Sequence, residues 1–162
     1  MEIQQLTETH WPEVSAIYES GLATGNANFS SLVPGWEEWD NAHLKSCRLV
    51  MSDDGKVLGW AALTAISDRC VYAGVAEVSV YVGEEARGKG IGRQLLSAIV
   101  EESEKNNLWT LEARIFAENL ASIKIHQANG FRIVGRRERI GKMNGVWRDT
   151  VLLERRSDKA GA

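Results

Sequence analysis

The sequence has little cysteine. Its only two cysteines, Cys47 and Cys70, lie far apart in a chain of 162 residues. They form neither a Cys-x-x-Cys pair nor a set with zinc-ligand spacing, and they are too few for a disulfide framework. No group of histidine, cysteine and carboxylate residues has metal-ligand spacing either. The sequence therefore predicts two reduced thiols and no metal site.

Long apolar runs and an excess of positive charge are also missing. No stretch approaches the roughly 18 apolar residues of a membrane-spanning helix, and no signal-peptide pattern opens the chain. The formal net charge is −3 and the sequence pI is about 5.7, which argues against general nucleic-acid binding. We therefore expect no membrane and no nucleic-acid partner, and a cytoplasmic location.

The length and the hydrophobic periodicity predict one α+β domain. No internal repeat or low-complexity segment divides the chain, so we expect a single domain over residues 1–156 and a flexible tail over 157–162. The periodicity predicts the order β-α-α-β-β-β-α-β-α-β-β, with a mixed sheet and helices on both faces. The strands are expected at residues 2–6, 48–51, 56–66, 75–82, 109–116, 131–136 and 146–154.

The stretch 78–100 carries the clearest functional pattern. A β-branched strand is followed by a glycine-rich turn and then by an amphipathic helix. The turn has glycines at alternate positions with cations beside them: Arg87, Gly88, Lys89, Gly90, Ile91, Gly92 and Arg93. Free N–H groups converge at such a helix start, the helix dipole adds positive charge, and missing side chains let a phosphate approach. The pattern therefore predicts a site for a phosphate group.

Two familiar phosphate-binding motifs fit this turn only in part. A P-loop requires a hydroxyl residue after its lysine, and Gly90 stands there. A dinucleotide fingerprint requires a third glycine where this chain has Arg93. A third pattern, Arg/Gln-x-x-Gly-x-Gly/Ala, is matched in full by Arg87, Gly90 and Gly92. This third pattern resembles the pyrophosphate-binding loop of the GCN5-related N-acetyltransferases (GNAT), which bind acetyl-coenzyme A (acetyl-CoA).

A second motif extends the resemblance over nearly the whole chain. Residues 119–131 are similar to the GNAT signature Asn-x-x-Ser-x-x-x-His/Tyr-x-x-x-Gly-Phe, and the predicted element order is that of the family. Within the family, the chain is most similar to the phosphinothricin and methionine sulfoximine acetyltransferases. That similarity is carried by Ala76 and Glu77, by His126, and by the Gly-x-Trp-x-Asp pattern over residues 145–149. The resemblance implies a mostly antiparallel sheet with a splayed central strand pair, and a homodimer.

The resemblance also assigns the donor site. The glycine loop, residues 87–93, would hold the pyrophosphate through its N–H groups. The backbone of Val80, Tyr81 and Val82 would pair with the amides of the pantetheine arm as a pseudo-strand. Asn119 and Ser122 lie on one helical face with His126 and would contact the pantetheine arm.

The chemistry and the acceptor site are hypotheses at this point. Glu77 is the only carboxylate on the strand that leads to the loop, and we expect it to act as general base and to contact the acceptor. The alternative is a structural carboxylate that pairs with a neighbouring arginine or with a backbone N–H. His126 could protonate the departing thiolate or only pack against the sheet. Phe29, Arg69 and Tyr72 lie on loops expected to border the acceptor cleft, where an arginine suits a carboxylate.

The sequence predicts an acetyl-CoA-dependent N-acetyltransferase of a small primary amine, such as an amino acid or analogue. Two alternatives stay open. The acceptor could be a protein N-terminus or lysine, or the domain could bind acetyl-CoA as a sensor without turnover. The chain departs from many relatives of the phosphinothricin enzymes at Val78 and Ala73, where those relatives have His and Arg.

Overall fold

The computed structural model describes residues 1–161, which form four α-helices and one seven-stranded sheet. The helices are α1 (Trp11–Ala23), α2 (Trp36–Ala42), α3 (Ile91–Lys105) and α4 (Leu120–Ala128). The strands are β1 (Glu2–Gln5), β2 (Arg48–Asp53), β3 (Lys56–Ala65), β4 (Val75–Val82), β5 (Thr110–Phe116), β6 (Arg132–Met143) and β7 (Val146–Arg156). Short 3₁₀ turns lie at Glu8–His10, Cys70–Tyr72 and Glu84–Ala86. The predicted α+β class and element order are confirmed.

The strands are ordered β1-β2-β3-β4-β5-β7-β6 across the sheet. Within the described residues, β4 and β5 form the one parallel pair, and the other neighbouring strands are antiparallel. A parallel pair needs a crossover connection, and α3 supplies it between β4 and β5. The helix therefore begins at the end of β4, where the glycine loop lies.

Each face of the sheet packs against a different pair of helices. Alternation along β2 sends Leu49 and Met51 to the face covered by α3 and α4, and Val50 to the face covered by α1 and α2. On the first face, Leu95 and Ile99 of α3 are fully buried, and each such side chain contributes roughly 1.5–3 kcal/mol. On the second face the core is aromatic, because Trp39 of α2 packs edge-on against Trp60 of β3. The predicted helices on both faces are confirmed.

The last hairpin is longer than the sequence predicts. The extended polar stretch after residue 136 belongs to β6, which has an irregular register against β7 between Arg137 and Gly141. Asp149 of β7 supports this irregularity, because its carboxylate accepts from the Arg136 guanidinium at 2.6 and 2.8 Å and from the Arg139 N–H at 2.8 Å. The hairpin turns at Asn144, which has a positive φ as predicted for an Asn-Gly turn.

The end of the chain packs against the domain as far as Gly161. The sequence instead predicts a flexible tail from residue 157 onward. Ser157 and Ala160 are buried, and the Ser157 hydroxyl accepts the N–H groups of Lys159 and Ala160, both at 3.0 Å. The Arg156 guanidinium donates to the carbonyl groups of Ser157 and Ala160. Residue 162 lies outside the described residues. Between residues 1 and 161, no helix is long and apolar enough to cross a membrane.

Candidate active site

A cleft opens where β4 and β5 separate. The two strands pair over three rungs only, from Val75–Thr110 to Glu77–Glu112. Beyond these rungs, β4 remains paired with β3 as far as Val82, and β5 remains paired with β7 as far as Phe116. A gap of about 430 Å³ therefore forms between β4 and β5. The predicted splayed strand pair is thereby confirmed. The exposed edge of β4 includes Val80, Tyr81 and Val82, which line the cleft; their pairing with a pantetheine arm stays a prediction.

The glycine loop forms one end of this cleft. Gly88 and Gly90 have left-handed backbone, with φ of 78° and 80°, which side chains other than glycine rarely adopt. Gly90 is the N-cap of the 15-residue α3 and has no side chain to accept the N–H groups of the first turn. Buried Ile91 anchors the helix start, while the backbone around it stays open to solvent. The loop therefore has free donors and partial positive charge for an anion.

The charges around the loop favour an anion. Arg87, Lys89 and Arg93 are all exposed there, and Arg87 lines the cleft with its Nε 3.4 Å from the Val82 carbonyl oxygen. Glu85 lies nearby, but its carboxylate pairs with Lys56 of β3 at 2.9 Å, and this contact lowers its pKa. Of the two acidic residues before the loop, Glu84 and Glu85, Glu85 thus has a cationic partner of its own.

Glu77 lies on the last rung before the strands separate. Its carboxylate Oε2 accepts from Nη1 of Arg114 at 2.9 Å, and Nη2 of the same arginine lies 3.4 Å from Oε2 of Glu112. The structure thus places Glu77 in the cleft, as predicted, and in an ion pair with an arginine. The pair is partly open to solvent, because the Glu77 side chain is 30% exposed and that of Arg114 is 40% exposed.

His126 is buried in the wall of the cleft. Its Nδ1 lies 2.7 Å from the Ser122 carbonyl oxygen, and its ring packs edge-on against Phe131. A carbonyl oxygen can only accept, so Nδ1 carries the proton and Nε2 of the neutral ring does not. Burial lowers the pKa of His126, so the neutral form dominates at neutral pH.

Buried His126 and partly buried His43 predict that the protein loses stability as the pH falls. Burial lowers the pKa of His43 as well as that of His126 from the ordinary value of 6.5. The unfolded chain therefore binds more protons than the native protein from pH 6.5 down to the lowered native pKa values. Across that window the free energy of unfolding should fall as the pH falls, by at most about 2.7 kcal/mol per pH unit for the two groups.

Urea unfolding of the wild type, His43→Gln and His126→Gln from about pH 8 to about pH 5.5 would measure this effect. Each variant should take up fewer protons on unfolding than the wild type, by up to one. Its free energy of unfolding should therefore depend less steeply on pH. Equal slopes in the three proteins would contradict the assignment of neutral imidazoles to His43 and His126.

Asn119 connects α4 to the loop after α1. As N-cap of α4, its Oδ1 accepts the Ser122 N–H at 3.2 Å, and its Nδ2 lies 3.3 Å from the Asn26 carbonyl oxygen. Arg148 of β7 holds the same loop, donating to Gly25 O and Asn26 Oδ1, both at 2.7 Å. Asn119 and Ser122 line the cleft, and their predicted contact with the donor stays a prediction.

The side chain of Tyr81 is part of the cleft in a way that the sequence reasoning missed. Its ring stacks on Trp60 and packs against Tyr18, with centroids 4.9 and 4.8 Å apart. Its hydroxyl accepts from Asn28 Nδ2 at 3.1 Å, and burial raises its pKa, so the phenol stays protonated. The one signal for this packing is Gly21, where a Cβ would lie 2.6 Å from the Tyr81 ring.

The three predicted acceptor residues on loops are not among those that line the cleft. Phe29 packs edge-on against Phe116, with centroids 4.9 Å apart, and lies against Gly141. Arg69 and Tyr72 are exposed on the turn before β4, with the guanidinium 5.9 Å from the Tyr72 ring. The structure therefore brings Arg69 and Tyr72 together, but it does not bring them to Glu77. In their place the cleft contains Arg114, which the sequence reasoning missed.

Comparison with known proteins agrees with this geometry. Residues 38–152 match the family described as "Acetyltransferase (GNAT) domain". A phosphinothricin N-acetyltransferase of Alcaligenes faecalis is 35% identical over 150 residues, or 89% of this chain and 76% of that protein. An L-methionine sulfoximine/L-methionine sulfone acetyltransferase of Pseudomonas paraeruginosa is 32% identical over 149 residues, or 88% of this chain and 87% of that protein.

A solved structure has the same fold. The GNAT superfamily phosphinothricin acetyltransferase of Sinorhizobium meliloti, determined in complex with acetyl-CoA, superposes with a TM-score of 0.89 at 27% identity. The match covers 99% of this chain and 90% of that one. The resemblance inferred from the glycine loop and the second motif is confirmed, and this chain belongs to the GNAT acetyltransferase family.

Proposed function

We propose that the protein transfers the acetyl group of acetyl-CoA to the primary amine of a small molecule, an amino acid or an analogue such as phosphinothricin or methionine sulfoximine. The observation that carries the proposal is the cleft between β4 and β5, because Arg87 of the glycine loop and the carboxylate of Glu77 both line it. The names of the relatives support the same acceptor class.

The donor fits the residues that line the cleft. The N–H groups at the start of α3 and the cations Arg87 and Arg93 would hold its diphosphate. The open edge of β4 from Val80 to Val82 offers backbone groups for the amides of an extended arm. Acetyl-CoA supplies an acetyl group on a thioester, whose carbonyl oxygen gains negative charge as the amine adds, so a backbone N–H of β4 would stabilise it.

Glu77 supplies the proton acceptor in this proposal. An amine is mostly protonated at neutral pH and cannot attack until it loses a proton. Glu77 is positioned for that transfer, directly or through water, because it lies at the rung where the cleft begins. The acceptor amine would displace Arg114 from one carboxylate oxygen to reach it.

His126 is a weaker candidate for the proton donor to the thiolate. Because Nδ1–H is committed to Ser122, Nε2 could donate only from the imidazolium form. Burial lowers the pKa of that form, so little of it exists at neutral pH. We propose that His126 mainly supports the α4 wall beside Ser122, and that the thiolate leaves without obligatory protonation by His126.

The assembly and location remain proposals. The exposed apolar side chains of β6 and β7 support a homodimer, and they include Ile133, Val134, Ile140, Val146 and Trp147. Size-exclusion chromatography with light scattering would measure the mass directly, and a monomer at micromolar concentration would refute the dimer. A cytoplasmic location stays a prediction from the sequence.

A thiol-release assay tests the proposed reaction. The purified chain with acetyl-CoA should release thiol in the presence of phosphinothricin, methionine sulfoximine or other free amino acids, and much less with peptides. Release with peptides alone would favour the protein acceptor. Tight calorimetric binding of acetyl-CoA with no release for any amine would favour the sensor alternative.

A further inference from the structure

Arg114 is a charged residue in the cleft to which neither the sequence pattern nor the proposed chemistry assigns a role. It lies on β5, lines the cleft, and binds the carboxylate of Glu77. We propose that Arg114 binds the carboxylate of a zwitterionic acceptor, so that the protein selects α-amino acids over amines without a carboxylate. This inference rests on the proposed function and gives its acceptor site a specificity residue.

The register of the sheet puts the three charged groups together. Glu77 and Glu112 are partners on the last parallel rung, so their side chains leave the same face of the sheet. Arg114 follows Glu112 by two residues along β5 and therefore shares that face. Its guanidinium bridges the two carboxylates, with contacts of 2.9 Å to Glu77 and 3.4 Å to Glu112. The group as a whole carries one negative charge in excess.

A free amino acid can replace the Glu77–Arg114 pair by exchanging partners. Its ammonium and carboxylate are separated by one carbon atom, so they can bind Glu77 and Arg114, which lie side by side. Every charge keeps a partner in the exchange, which avoids the cost of an unpaired charge in a partly closed cleft. Arg114 has five N–H donors, and its Nε–H has no acceptor among the described residues. A carboxylate can therefore bind the guanidinium through two parallel hydrogen bonds.

Arg69, the anchor predicted from the sequence, is placed differently. It is exposed on the turn before β4, its guanidinium lies over the Tyr72 ring, and it does not line the cleft. Both arginines could attract an anionic acceptor over a distance. Only Arg114 is in contact with the carboxylate proposed to deprotonate the amine.

The test compares two acceptors that differ only in the carboxylate: L-methionine sulfoximine and its decarboxylated amine. For Arg114→Gln we expect KM for the amino acid to rise by about tenfold to a hundredfold, since that charge-assisted contact is lost. KM for the decarboxylated amine should stay within about twofold, and Arg114→Lys should recover part of the loss. Arg132→Gln is the control, because Arg132 is exposed on the edge strand β6 and pairs with Glu154.

Three results would overturn the proposal. A wild type that uses both acceptors equally well has no carboxylate anchor. An equal loss of Arg114→Gln with both acceptors, with a shifted pH–rate profile, would show that Arg114 only positions Glu77. A rise in KM for the amino acid in Arg69→Gln and not in Arg114→Gln would place the anchor on the loop.

Calorimetry separates this proposal from the failure of the proposed function. If the wild type releases no thiol with any amine, acetyl transfer is refuted, but methionine sulfoximine can still be titrated into the protein with coenzyme A present. Binding to the wild type that is lost in Arg114→Gln would then still support the anchor. No binding to the wild type, or equal binding to both proteins, would refute it.

Discussion

Replacing Glu77 by Gln is expected to lower kcat/KM for amine acetylation by about a hundredfold to ten-thousandfold, the usual contribution of a general base. Glutamine keeps the shape of the side chain and an oxygen that can accept from Arg114, but it cannot take a proton from an ammonium group. The loss should lie mostly in kcat, because the group acts in the reaction step. The Kd of acetyl-CoA should change little, because its diphosphate and pantetheine arm are proposed to bind the glycine loop and the edge of β4, and only its acetyl end lies beside Glu77.

Glu112→Gln is the matched control for this variant. It removes the same charge from the same rung, and it contacts the same arginine. It should cost less than about tenfold in kcat/KM, because Glu112 is not proposed to exchange a proton. The decisive measurement is the pH–rate profile. The limb on the acid side should disappear in Glu77→Gln, and a profile identical to that of the wild type would falsify the assignment of Glu77 as the base.

Much of the fold could be predicted because local patterns and tertiary contacts agree. The alternation in β4 corresponds to burial at Ala76 and Val78, and the helical face of Leu95, Leu96 and Ile99 is fully buried. The glycine loop was also predictable, since the left-handed backbone at Gly88 and Gly90 favours glycine. Less was predictable at the end of β6, where the strand continues past an irregular register that Asp149 holds through non-local contacts.

The acceptor side could not be predicted in the same way. The Glu77–Arg114 contact joins residues 37 positions apart and depends on which residue of β5 faces Glu77. Hydrophobic alternation determines which face of the sheet each side chain occupies, but a shift of the pairing by two residues would keep the face and change the neighbour, so the pattern does not determine which residue of β5 lies beside Glu77. The hydrogen bond from Asn28 to Tyr81 likewise depends on how the loop after α1 folds over the sheet. Arg69 is a candidate anchor because it is an arginine on a loop, but only the fold determines whether such a residue reaches the cleft.

The last prediction concerns the donor end of the cleft. Replacing Gly90 by Val should weaken acetyl-CoA binding by about a hundredfold or more. A side chain in left-handed backbone costs roughly 1–2 kcal/mol, and more for a β-branched residue, so the turn at φ 80° should rearrange. The N–H groups at the start of α3 would then no longer converge on one anion. The loss of two hydrogen bonds to a charged group, at about 1.5–3 kcal/mol each, gives the expected factor.

Gly35→Val separates this effect from a general loss of stability. Gly35 is also a helix N-cap, but its φ is −75° and a Cβ there would meet no atom within 4 Å. Valine is a poor N-cap, so both variants should melt at a lower temperature than the wild type. Only Gly90→Val should lose affinity in a calorimetric titration with acetyl-CoA, because only its helix start lies at the cleft. If both variants bind acetyl-CoA as tightly as the wild type, the diphosphate binds elsewhere. The glycine loop would then not position the thioester beside Glu77.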